Sequence, residues 1–101
     1  MDKLKRITNT LDLAIDQAKE IIEVAENEKK TNNIHETTNK IVERTQKVLD
    51  NVISLYVNAY INLKQSLSEE QHIDILKKEL EARNLVSQLK LLNCKELHIE
   101  R

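Results

Sequence analysis

The chain contains no glycine, no proline, no phenylalanine and no tryptophan among its 101 residues. Glycine and proline supply the special backbone angles of tight turns, so Gly-rich phosphate loops and tight β-hairpins have little to be built from. The residues that dominate instead are Lys, Glu, Leu, Ile, Asn and Ala. This mixture is typical of long helices with solvated charged faces, and it predicts an all-α protein.

Charges of both signs nearly balance, with 16 Lys and Arg against 17 Asp and Glu. We therefore expect no field that would attract nucleic acid, and the basic cluster of Lys3, Lys5 and Arg6 lacks interleaved aromatic residues. No apolar run reaches the roughly 20 residues of a membrane span, and no signal-peptide pattern follows the first basic residues. The single cysteine, Cys94, favours a reducing compartment. The expectation is a cytoplasmic protein that binds neither nucleic acid nor membrane.

Three segments carry apolar residues at helical spacing. The first covers about 3–30, and its apolar steps of three and four residues form a narrow seam of the coiled-coil type. The seam residues are Leu4, Ile7, Leu11, Ala14, Ala18, Ile21 and Ala25. The third segment covers about 69–93 and begins at Ser68 and Gln71, whose spacing is typical of a capping box. Its predicted core positions are Ile73, Leu76, Leu80, Leu85, Val86, Leu89 and Leu92.

The second segment covers about 34–65 and follows Asn33 and Glu36, which also have capping-box spacing. At about 100° per residue its apolar positions span an arc of roughly 160°, which is more than one neighbouring helix requires. We therefore expect this helix to contact both others. Its apolar positions are Ile34, Ile41, Val42, Val48, Leu49, Val52, Ile53, Leu55, Tyr56, Ala59, Tyr60 and Leu63.

Short connections between long helices make sequential neighbours antiparallel. The prediction is a single domain over 1–101, an antiparallel three-helix bundle with helices over about 3–30, 34–65 and 69–93. Residues 94–101 are expected to be a flexible tail, an extension of the third helix or a segment that crosses back over the bundle. The alternative architecture is a helical hairpin or bundle completed by a second chain, as a dimer.

One short motif suggests phosphoryl transfer. The residues His35, Glu36 and Asn39 form H-E-x-x-N, which resembles the H-E-x-x-[TN] box of histidine-kinase dimerisation domains. The resemblance covers three residues and implies that His35 would accept a phosphoryl group on an exposed helix. The proline that commonly follows the box in that family is absent here. Phosphotransfer through His35 is therefore a minor functional alternative.

Two further pairings lack the residues that catalysis or metal binding would need. Glu69 and His72 have the spacing of two metal ligands on one helix face, but the seam positions supply no additional inward-facing carboxylates. Cys94 and His98 would face each other on a helix without a third residue to orient the histidine. We expect no enzymatic activity, no metal, no cofactor and no small-molecule substrate.

The segment from Val48 to Leu63 is the densest apolar run, and it carries no charge between Asp50 and Lys64, although 33% of the chain is charged. Opposite its apolar arc lies an uncharged face. That face consists of Asn51, Ser54, Val57, Asn58, Ile61 and Asn62. The centres of protein interfaces are depleted in charge, because removing a charge from water costs more than removing an amide or a hydroxyl. The face is thus a candidate interface, and an ordinary asparagine-rich surface is the competing interpretation.

These observations predict a small cytoplasmic helical-bundle protein that acts by binding another protein. Adaptor, inhibitor, immunity factor and regulator all fit this description. The main alternative is a structural protein that assembles with itself through the same uncharged face.

Overall fold

The computed structural model describes the backbone of residues 2–31 and 35–99 and the side chains of residues 3–31 and 35–92. Three helices follow one another: α1 (Asp2–Lys30), α2 (Glu36–Leu63) and α3 (Glu69–Ile99), with a short 3₁₀ turn at Lys64–Ser66. Within the described ranges there is no strand. The predicted all-α three-helix bundle is confirmed, and its longest dimension is 51 Å against 22 and 18 Å for the others.

The helix boundaries differ from the prediction mainly in α2 and α3. Helix α2 begins at Glu36 with His35 as its N-cap, and the predicted cap residue Asn33 lies outside the described residues. Helix α3 continues to Ile99, so the backbone of residues 94–99 extends the helix. Of the three conformations considered for this segment, helical extension is the one that the structure has.

The start of α3 confirms the capping box. The backbone N–H of Ser68 donates to Oε1 of Gln71 at 2.9 Å, and the N–H of Gln71 donates to Oγ of Ser68 at 3.2 Å. Glu69 and Glu70 lie in the first turn, where the positive end of the helix dipole favours them. These contacts stabilise the N-terminus of α3, and the short turn between α2 and α3 needs no glycine.

The core is aliphatic, with one tyrosine, and lies between all three helices. The seam predicted for α1 is confirmed, since Leu4, Leu11, Ala14, Ala18 and Ala25 are buried and Ile7 and Ile21 pack against the core. Helix α2 packs against both neighbours, as its wide arc predicted. Its buried residues are Thr38, Val42, Leu49, Val52, Ile53, Tyr56 and Ala59.

The predicted core of α3 is wrong in its first half. Ile73, Leu76 and Leu80 are 47%, 52% and 62% exposed. The buried residues of α3 are Ile75, Ala82, Leu85, Val86, Leu89 and Leu92. The two sets lie on opposite sides of the helix, because at about 100° per residue their centres differ by about 180°. Helix α3 therefore has two apolar faces, and only one of them packs against α1 and α2.

The arc of α2 is also narrower than predicted. Ile41, Val48 and Leu55 recur every seven residues on one flank of the arc and are 42%, 45% and 57% exposed. Helices α1 and α3 cover only the central part of the arc, so the residues on this flank stay exposed to solvent. Tyr56, near the centre of the arc, is only 1% exposed.

Candidate protein-binding surface

The six residues of the predicted interface lie together on the outer side of α2. Asn51, Ser54, Asn58 and Asn62 are exposed, and Ile61 is 60% exposed. Val57 is partly buried and packs against the core. At about 100° per residue the six occupy an arc of about 140°. We call this set the uncharged α2 face.

The uncharged α2 face is bounded by charge on its N-terminal side. Lys40 pairs with Glu36 at 3.7 Å and Lys47 pairs with Glu43 at 3.3 Å, in both cases one turn apart on the exposed side of α2. Beyond Asp50 such pairs stop, because the helix carries no further charged residue. The exposed side of α2 therefore changes from an ordinary solvated helix to an uncharged one about halfway along.

On its C-terminal side the face meets α3 at a pair of rings. The hydroxyl of Tyr60 lies 2.8 Å from Nδ1 of His72, and the rings pack edge to face with centroids 5.4 Å apart. Ile61 and Ile73 each follow one member of this pair, and both are exposed. The uncharged α2 face is thus fixed against α3 and has apolar side chains on both sides of the junction.

The Tyr60–His72 contact was not predicted from the sequence. The two residues are separated by twelve positions and lie at equal distances from Ser66, in the turn between α2 and α3. In an antiparallel helical hairpin, residues equidistant from the turn lie side by side. That symmetry was the signal in the sequence that would have identified the pair.

The connection between α1 and α2 is held by Glu28, a residue that sequence reasoning also missed. Its Oε1 accepts the backbone N–H of His35 at 2.9 Å, and its Oε2 accepts the hydroxyl of Thr38 at 2.9 Å. The first of these bonds is the main reason that the pKa of Glu28 lies below its usual value, with desolvation opposing it and Thr38 adding to it. A carboxylate from α1 therefore caps the N-terminus of α2.

His35 and Thr38, the two residues that Glu28 contacts, differ in their positions in α2. His35 is the exposed N-cap residue with extended backbone angles, φ −70° and ψ 145°, so it precedes the helix on which the kinase-like box would place it. Thr38 is buried, and its hydroxyl donates to Glu28 on the neighbouring helix. A threonine within a helix can bond back to its own preceding turn, but here an acceptor from α1 lies within reach.

Helices α1 and α3 are joined by two ion pairs beside a shallow cleft of about 490 Å³. Lys78 pairs with Asp12, and Lys19 pairs with Glu81 at 3.0 Å. The hydrogen bond and charge of Glu81 raise the pKa of Lys19. Tyr56 lines the cleft, and burial raises the pKa of its phenol. The phenol is therefore neutral at pH 7, and two charged residues of the cleft lining, Lys78 and Glu81, are each paired with a residue of α1.

The described residues contain no group of three or more His, Cys, Asp and Glu side chains arranged to hold a metal ion. In the pair Glu69 and His72, the histidine nitrogen Nδ1 is engaged with Tyr60. The side chains of Cys94 and His98 lie outside the described residues. Among the helices that the structure describes, none is long and apolar enough to cross a membrane.

No protein-family model matches this chain, and comparison with curated proteins and with solved structures gave no significant match. Function must therefore be inferred from the surface chemistry of the three helices.

Proposed function

We propose that this chain is a protein-binding helical bundle, an adaptor, inhibitor, immunity factor or regulator, with no catalytic chemistry of its own. The observation that carries the proposal is the position of Ile61. Its side chain is 60% exposed, and the exposed residues of α2 around it, Asn58 and Asn62, are polar without charge. The single cysteine supports a reducing compartment, and we propose the cytoplasm.

The uncharged α2 face has the composition that the centre of an interface needs. Ile61 and the bordering Leu55 supply apolar area that is now in contact with water. The amides of Asn51 and Asn58 can each donate and accept hydrogen bonds, so a partner can satisfy them after water is excluded. Desolvating these groups costs less than desolvating the Lys and Glu side chains of the preceding turns.

The face belongs to a helix whose other side is packed before any partner binds. Val52, Ile53, Tyr56 and Ala59 fix the opposite side of the same turns in the core, and the Tyr60–His72 contact fixes the end against α3. A surface that is already ordered loses less conformational freedom on association than a flexible one. Binding through this face therefore requires little rearrangement of the bundle.

The proposal is tested by placing two positive charges on the face. In the variant Asn58→Lys with Ile61→Lys, both changed side chains are exposed, so helicity and the unfolding midpoint should be close to those of the original chain. We expect affinity for a partner identified with the original chain, measured with both proteins purified, to fall roughly tenfold or more. The reason is that two charges would have to be desolvated in the complex.

The matched control changes an asparagine and an exposed aliphatic residue one turn apart on α1. Asn9 is exposed and Leu13 is 65% exposed, so Asn9→Lys with Leu13→Lys adds the same charges on a different helix. This control should bind the partner with its original affinity. Undiminished binding by the Asn58 and Ile61 variant would contradict the proposal.

A further inference from the structure

We draw no further inference here: the strongest candidate, the exposed apolar face of α3 formed by Ile73, Leu76, Leu80 and Leu91, carries nothing, because nothing in the described part of the structure shows what covers it.

Discussion

Truncating one leucine on each side of α3 tests which face of this helix belongs to the fold. Leu89 is 0% exposed and Leu80 is 62% exposed, although both were expected in the core. The substitutions Leu89→Ala and Leu80→Ala remove the same atoms from the same helix. Any difference in their effects therefore reports the environment of the side chain and not its chemistry.

The expected magnitudes are well separated. Leu89→Ala removes a fully enclosed side chain and leaves a cavity, which costs about 2–5 kcal/mol. In Leu80→Ala only about a third of the side chain leaves a packed environment, at about 0.8 kcal/mol per buried methylene, and no closed cavity forms. Alanine is also the better helix former, so the net loss should stay below about 1 kcal/mol.

Urea unfolding followed by far-UV circular dichroism measures both values. The chain should be kept at a few micromolar, because self-association at higher concentration would add to the apparent stability. For a domain of this size each kcal/mol corresponds to a change in Tm of about 4–8 °C, so thermal unfolding gives an independent value. The slope of free energy against urea concentration should be the same for all three proteins, since a changed slope indicates a changed unfolding reaction.

If Leu80→Ala destabilised the monomer as much as Leu89→Ala, the packing of α3 would have to be different. The helix would then bury the side that carries Ile73, Leu76 and Leu80. Equal small effects would show that α3 is loosely docked.

Two further predictions concern contacts between helices. The pKa of Glu28 is lowered from 4.5 in the folded chain, so its contribution to stability is complete above that pH and is lost as the pH falls through the folded value. The difference in unfolding free energy between the original chain and Glu28→Gln should therefore shrink as the pH falls below about 4.5, as measured by urea titrations at each pH, and a constant difference would show that the carboxylate is not the group that matters. Tyr60→Phe removes the hydroxyl 2.8 Å from His72 and should cost about 0.5–1.5 kcal/mol. A double-mutant cycle with His72→Ala should give a coupling of the same order, whereas strict additivity would mean that the two side chains do not interact.

The sequence was sufficient for the number of helices, their order and the core of α1. These follow from local signals, namely apolar spacing, capping residues and the absence of residues that interrupt helices. The capping box at Ser68 and Gln71 was predictable for the same reason, since all of its atoms belong to four consecutive residues. Contacts of this kind depend little on the rest of the fold.

The face of α3 was mistaken because it depends on which neighbours the helix has. Ile73, Leu76 and Leu80 have helical spacing, and so do Leu85, Leu89 and Leu92, which suggested one continuous stripe. Assigning an angle to each residue separates them into two stripes on opposite sides, and this step could have been taken from the sequence. Which stripe is buried could not have been decided in that way, because it depends on how α3 docks against α1 and α2.

The role of Glu28 was beyond sequence reasoning for a related reason. Its partner Thr38 is ten positions away and on another helix, and no local pattern links a glutamate near the end of one helix to a threonine in the first turn of the next. The exposure of the outer residues of α2 was predicted more successfully, and their role as an interface stays a prediction. The composition of α2 and its helical period placed Asn51, Asn58 and Ile61 on the outside, where the structure has them.

The two apolar faces of α3 create a problem of rotational degeneracy. In the first half of the helix, a turn by half a revolution about its own axis would still bury Ile73, Leu76 and Leu80, so hydrophobic burial in that half distinguishes the two orientations poorly. The contacts that differ are polar: His72 with Tyr60, Lys78 with Asp12 and Glu81 with Lys19. The first two contacts are partly buried and the third is exposed. Each adds only modestly to stability, but all three exist in one orientation only and therefore favour it over the other. These polar contacts thus help to determine which apolar face of α3 is buried and which is exposed to solvent.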